Sequence, residues 1–289
     1  MAISYETYQK LLRYDFPAIE QKRTAKDTIL YALSVGMGLD PMDTQQLRYV
    51  YEKDLLALPT MIAVIGMPYG WIGKSGIGFG TRSVQAEQSI LFHQPVPVEG
   101  DFVGKTRITS VVDKGAGKGM LVTVERTLIE RGADRLIATL TATSYCRGDG
   151  GFGGPSGPVS APHAIPDSAP QHVCELPTSP QTALMYRLHG DPTPLHADPE
   201  FARRAGFSRP ILHGLCTMGV ACHALLRTLC AYDPQKLKSI ECRFIASVYP
   251  GEMLRTEMWR TGQVVSFRSL VPARDNLVVV NNGRAEIAV

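Results

Sequence analysis

The sequence predicts an α+β fold made of two similar halves, and three observations carry that prediction. Segments rich in Val, Thr, Ile and Leu with partial alternation come in two runs, each preceded by one helix-like stretch. A stretch rich in Gly, Pro and Ser separates the runs. The turns within each run carry Gly or Asp–Asn, as antiparallel hairpins require. A helix followed by antiparallel strands, occurring twice, is the α+β pattern and differs from the alternation of βαβ units.

In chain order, Thr24 to Gly36 (TAKDTILYALSVG) reads as a helix with an N-cap threonine, apolar residues at helical spacing and a terminal glycine. Strand-like segments follow at 91–98 (LFHQPVPV), 102–112 (FVGKTRITSVV), 119–130 (GMLVTVERTLIE) and 135–146 (RLIATLTATSYC). Between Gly148 and Pro180 about half of the residues are Gly, Pro or Ser, too few apolar side chains for a core. The chain is thus expected to divide into a half at 1–147, a linker at 148–180 and a half at 181–289. In the second half Asp198 caps a short helix at 199–205. Gly214 to Cys230 puts Leu215, Met218, Gly219, Cys222, Leu225, Leu226 and Leu229 on one stripe, a helix buried against a sheet. Strands at 237–248, 253–262, 264–273 and 276–289 complete the series. Pro97-Val98-Glu99-Gly100-Asp101 and Tyr249-Pro250-Gly251-Glu252 each precede a strand and a glycine turn (Gly115, Gly262), which suggests an internal duplication.

Composition narrows the function classes. Lys+Arg minus Asp+Glu is 30 − 27 = +3, which supplies no broad basic field for nucleic acid. A chain of 289 residues, 44% hydrophobic and 20% charged, is ordinary for a globular protein and needs no disulfide staples. Its longest apolar candidate, Met61–Met67, is far short of the ~20 residues of a membrane span. The start MAISYETYQK lacks the basic-then-apolar order of a signal peptide, and the end EIAV is no SKL-type peroxisomal address, so a cytoplasmic protein is expected. Cys146, Cys174, Cys216, Cys222, Cys230 and Cys242 show no CxxC spacing and read as reduced packing residues.

Chemistry concentrates between Tyr186 and Gly219, YRLHGDPTPLHADPEFARRAGFSRPILHGLCTMG. Asp191, His196, Asp198 and His213 fall here, with His189 beside them. Gly190 to Pro194 is an ordered loop, and the five-residue spacing of Asp191 and His196 lets both side chains face one small volume. A carboxylate and an imidazole around one water form a general acid–base pair. The same residue types fit three other uses: turn and cap residues, a divalent-metal site, or a His213–Cys216 nucleophile. Cys216 lies beside the apolar stripe and reads as core. Gly214 opens the long helix, so its N–H is one of the unpaired donors there and suits an oxyanion; it equally permits close helix–sheet packing.

This segment resembles the hydratase-2 motif of the MaoC-like, (R)-specific enoyl-CoA hydratases, and the first half is similar at DTILYALSVG (Asp27–Gly36) and AEQSILFHQPVPVEGD (Ala86–Asp101). The resemblance implies a double hot-dog fold, in which each half is an antiparallel sheet wrapped around a long helix. It implies one active site, in the second half, with the first half holding the acyl chain. Asp191 and His196 are then the catalytic pair and Gly214 the donor to the thioester carbonyl. The implied reaction is reversible hydration of trans-2-enoyl-CoA to (3R)-hydroxyacyl-CoA in fatty-acid metabolism or β-oxidation. It needs no cofactor and no metal, coenzyme A being part of the substrate, and a homodimer is expected. Position 193 departs from the family's usual Asn: Thr193 offers one shorter hydrogen-bonding group for positioning water or side chains. His189 stands where Ser is common and is expected to face solvent. Arg203, Arg204 and Arg209 are candidates for coenzyme A phosphates, the other use being a solvated helix face. Alternatives on the same fold are a dehydratase of acyl-carrier-protein or branched and dicarboxylic acyl-CoA thioesters, a non-catalytic acyl-CoA-binding protein, and a thioesterase.

Overall fold

A computed structural model describes residues 2–78 and 83–288; Met1, residues 79–82 and Val289, all within the predicted halves, lie outside the described residues. In chain order the elements are α1 (Tyr5–Leu12), β1 (Ile19–Arg23), α2 (Ala25–Ser34), α3 (Thr44–Leu47), α4 (Trp71–Lys74), β2 (Ser83–Phe92), β3 (Gly100–Asp113), β4 (Met120–Glu130) and β5 (Arg135–Cys146). The second series is β6 (His172–Pro177), α5 (Thr182–Tyr186), α6 (Pro199–Arg204), α7 (Gly214–Leu229), β7 (Leu237–Phe244), β8 (Met253–Thr261), β9 (Val264–Val271) and β10 (Leu277–Ile287). Short 3₁₀ turns connect them, including Pro59–Val64.

The ten strands form one antiparallel sheet in the order β1-β3-β4-β5-β2-β7-β10-β9-β8-β6. Adding five to each strand of the first series reproduces the second series read from the opposite edge. That palindrome is what two copies of one unit make when they join edge to edge. The seam runs from Glu87↔Arg243 to Leu91↔Ser239, and Arg243 and Glu87 add an ion pair across it at 2.5 Å.

Each half contributes one helix to the interior. Thr24 closes a capping box with Asp27 and starts α2 where the sequence predicts. α7 differs from the one-sided helix expected, because Leu215 through Leu226 are all buried. The sheet covers one face of α7, while α2 and the 3₁₀ turn Pro59–Val64 from the first half cover the rest. Gly219 makes this approach possible: a Cβ there would lie 2.7 Å from Val35 Cγ1 and 3.1 Å from the Tyr31 hydroxyl. α2 has ten residues against sixteen in α7, and the fully buried turn Pro59–Val64 fills the length it leaves.

Two boundaries differ from the sequence prediction. The strand expected at 91–98 is Ser83–Phe92, because Pro95 and Pro97 have no N–H for a ladder and stop the strand early. The predicted linker 148–180 ends in a strand, β6, whose Cys174 and Leu176 alternate inward on an edge beside β8. Its short length amid prolines conceals that alternation. Between Cys146 and His172 the chain has no helix or strand, yet it is tied down across the second half. Trp259 Nε1 donates to the Ser168 carbonyl at 2.8 Å, and Asn282 donates to the His163 carbonyl at 2.8 Å. All six cysteines are buried and free. Among the described residues no helix is long and apolar enough to cross a membrane.

Candidate active site

The segment that carries the chemistry is a succession of tight turns. α5 runs into a 3₁₀ turn at Arg187–His189, and Gly190 then adopts φ +118°, a value L side chains rarely take. A Cβ at Gly190 would also meet the Tyr69 ring at 3.2 Å. The reversal delivers Asp191 to a loop whose own hydrogen bonds hold it: the Thr193 N–H and hydroxyl donate to Asp191 Oδ1 at 3.1 and 2.5 Å. Thr193 therefore spends its hydroxyl on the carboxylate. A second 3₁₀ turn, Pro194–His196, brings His196 to the same place, and Asp198 caps α6 through the Glu200 and Phe201 N–H groups, as predicted.

His196 is oriented by one bond. Its Nδ1 lies 2.8 Å from the Ile211 carbonyl, which only accepts, so the neutral ring carries its proton there and keeps an Nε2 lone pair free. Burial lowers the pKa of His196, an effect the Ile211 carbonyl and Asp191 oppose. His213, the residue before α7, stacks on His196 with ring centroids 3.7 Å apart and planes at 25°. Its Nε2 is 4.0 Å from Asp191 Oδ2. Burial, reinforced by His196, pushes the His213 pKa down to about 2, so the ring is uncharged. Asp191, His196 and His213 each offer one ligand-type atom, all within 4.8 Å of one another. Asp191 keeps 24% of its side-chain surface exposed, so the cluster is reachable from solvent.

Gly214 follows directly as the first residue of α7. His213 supplies no side-chain cap, so the first N–H groups of a sixteen-residue helix have no side-chain acceptor from it. The fold thus brings Asp191 and His196 to one place, the arrangement their spacing suggests, and adds His213, with Gly214 next to it in the chain. Cys216 instead faces the core and lies 3.5 Å from the Ser34 carbonyl, which removes it as a partner for His213.

His189 corrects an expectation. It is 2% exposed, not solvent-facing, and sits edge-on to Tyr31 and Tyr186 at 5.3 and 5.7 Å. Burial, with Arg23 adding, lowers its pKa to about 4. The reason is a contact absent from any local pattern: Arg23 at the end of β1 donates to the His189 carbonyl at 2.8 Å and to the Val64 carbonyl at 3.3 Å. Those residues lie 166 and 41 positions away, so no local motif marks Arg23. The three arginine candidates separate. Arg204 pairs with Glu200 at 2.7 Å on the exposed face of α6, and Arg203 is exposed on the same helix. Arg209 lies over the Tyr249 ring at 4.9 Å, two residues before Ile211.

A metal would find suitable residue types here, but the spacing is wide. Tetrahedral zinc at ~2.1 Å holds its ligand atoms ~3.4 Å apart. The 4.0 Å between His213 Nε2 and Asp191 Oδ2 exceeds that and suits a bridging water.

Comparison with known proteins points to one family. The model of the MaoC like domain matches residues 162–282, and that of the MFE-2 hydratase 2 N-terminal domain matches residues 22–148. The chain is 36% identical to the peroxisomal enoyl-CoA hydratase 2 of Arabidopsis thaliana over 93% of its own length and 92% of that protein's. The crystal structure of a MaoC-like dehydratase from Phytophthora capsici superposes with a TM-score of 0.83 at 31% identity, covering 97% of this chain and 98% of that one. A Mycobacterium tuberculosis protein described as having a double hotdog fold superposes at TM-score 0.55 and 16% identity, over 95% of this chain and 94% of that one, a likeness of fold.

Proposed function

From the premise that this chain belongs to the MaoC-like, hydratase 2 family of double hot-dog proteins, we propose that it reversibly hydrates trans-2-enoyl-CoA to (3R)-hydroxyacyl-CoA. The observation that carries the proposal is the convergence of Asp191 and His196 beside the open N-terminus of α7.

The chemistry follows from that arrangement. A 2-enoyl thioester is electrophilic at C3 because its carbonyl oxygen takes up charge as an enolate. A water held by Asp191 and the Nε2 of His196 gives a proton to this pair as its oxygen bonds C3. The Gly214 N–H steadies the enolate oxygen, an effect of ~3–4 kcal/mol for comparable donors. The pair then returns a proton to C2, so atoms and charge balance over one turnover. Thr193 acts by holding the Asp191 carboxylate. Arg209, stacked on Tyr249 two residues before Ile211, is the arginine assigned to a coenzyme A phosphate in this reading, since Arg204 is spent on Glu200. No metal takes part, and the expected setting is a cytoplasmic homodimer.

The test is direct: purified protein and trans-2-enoyl-CoA of several chain lengths, with loss of the conjugated absorbance followed in time. Turnover is expected, unchanged after EDTA treatment, and light scattering should give twice 31.6 kDa. Binding without turnover at any chain length would leave a non-catalytic acyl-CoA-binding protein. Release of free thiol would mean a thioesterase. The name of the Phytophthora capsici relative favours one second reading, preferential use of the reverse, dehydrating direction.

A further inference from the structure

His213 has no part in the pair described above, yet it is the most unusual side chain near it. It is 2% exposed, and neither ring nitrogen has a hydrogen-bond partner among the described residues. Leaving a buried polar group unpaired is costly, so such a nitrogen calls for an occupant. The unpaired Nε2 faces Asp191 Oδ2 across 4.0 Å, too long for a direct bond.

We infer that His213 is a third holder of the reacting water, donating from Nε2–H to its oxygen while Asp191 and His196 accept hydrogen bonds from its two hydrogens. This rests on the hydratase reading of the site. The geometry supports it in two ways. Three atoms within 4.8 Å of one another leave room at their centre for one oxygen. In any triangle whose edges do not exceed 4.8 Å, some point lies within ~2.8 Å of every corner, an ordinary hydrogen-bond reach.

The second support is the count of donors and acceptors. Ile211 occupies Nδ1 of His196, so His196 presents Nε2 as an acceptor, and the Asp191 carboxylate also accepts. Two acceptors use both hydrogens of a water, and the remaining corner then requires a donor. A neutral histidine carrying its proton on Nε2 is that donor, and neither of its ring nitrogens has a partner at hydrogen-bond distance among the described residues. Thr193 is not available, because its hydroxyl is bonded to Asp191 Oδ1. With three of its four positions engaged, the water directs one lone pair away from the cluster, toward C3 of a bound enoyl group. His213 keeps its proton throughout. In the reverse direction the same N–H steadies the oxygen leaving C3. The stack on His196 holds the ring in register for this bond.

The experiment compares H213F, which keeps a flat ring and loses both nitrogens, with H213Q, which restores an amide N–H near the Nε2 position. H213F is expected to lower kcat about 10- to 100-fold with KM within about twofold, and H213Q to recover part of that loss. H213F at the wild-type rate, or H213Q as slow as H213F, overturns the inference. A high-resolution crystal structure of the wild-type protein tests it independently of how the variants fold. A water in hydrogen-bond contact with Asp191, His196 and His213 is expected, and one bound by the first two but out of reach of His213 overturns it. Absence of turnover by the wild-type protein would instead defeat the hydratase reading itself.

Discussion

Asp191 and His196 are held by different kinds of bond, and each residue's test follows from that difference. Asp191 is fixed within its own turn by Thr193, so Asp191→Asn keeps the bonds to Oδ1 and removes the charge. His196 is fixed by the Ile211 carbonyl, and a glutamine at 196 loses the basic ring nitrogen. Each variant should cut hydration by about 10²–10⁴-fold with a melting temperature near that of the wild type. Near-full activity in either would show that the pair is misassigned. At Gly214 the argument concerns the backbone. Proline is tolerated at the first position of a helix, and His213 already has the extended conformation (φ −62°, ψ 137°) that precedes proline comfortably. Gly214→Pro should therefore fold normally and lose about 10²-fold in kcat with its N–H. Gly214→Ala, whose Cβ would meet Phe244 at an acceptable 3.4 Å, should stay close to the wild type.

At the scale of elements, the site depends on how closely α7 approaches the first half. Gly219 sets that distance against Val35 and Tyr31. A valine there must push α2 and α7 apart or distort one of them, an overpacking cost of about 1–3 kcal/mol or more. Denaturant unfolding of Gly219→Val should show the loss as a lower midpoint with little change in slope. Activity should fall with it, because the start of α7 carries His213 and Gly214. Arg23 makes a second link between the halves, clamping the turn at Val64 to the turn at His189, immediately before Gly190 and Asp191. The first half thus shapes the loop that holds the chemistry as well as the space beside it.

At the scale of the whole molecule, three buried histidines make stability depend on pH. Burial lowers the pKa of His189 and His223 to about 4 and that of His213 to about 2. In the unfolded chain each titrates near ~6.5. Above that value both states are neutral and no dependence arises. Below it the unfolded chain takes up protons that the folded protein refuses, so stability falls as pH falls. Each histidine contributes up to ~1.4 kcal/mol per pH unit, levelling off at its folded pKa. Melting temperatures should be nearly constant from pH 8 to 7 and drop steeply between pH 6.5 and 5. A flat profile down to pH 5 would mean that these rings are not buried in the neutral form.

The two-half α+β plan, the positions of α2, α6 and α7, and the loop with Asp191, Thr193 and His196 were legible in the sequence, because short-range physics writes them there. Caps, helical spacing, strand alternation and turn glycines act over a few residues. The loop was legible for the same reason, since Gly190, Asp191, Thr193 and Pro194 specify their own turn. Residues whose environment is assembled from distant segments were not legible. His189 reads as a surface histidine until Arg23, 166 positions earlier, captures its carbonyl and the two tyrosines close over its ring. β6 is hidden by the prolines around it and is recognisable only beside β8. His213 was one polar residue among several until the fold stacked it on His196 and left its nitrogens without partners. Sequence by itself determined the local chain path and the residue types offered to the site. Tertiary structure decided which of them are buried, which remain uncharged and which meet, because desolvation and side-chain contact depend on segments that sequence order keeps far apart.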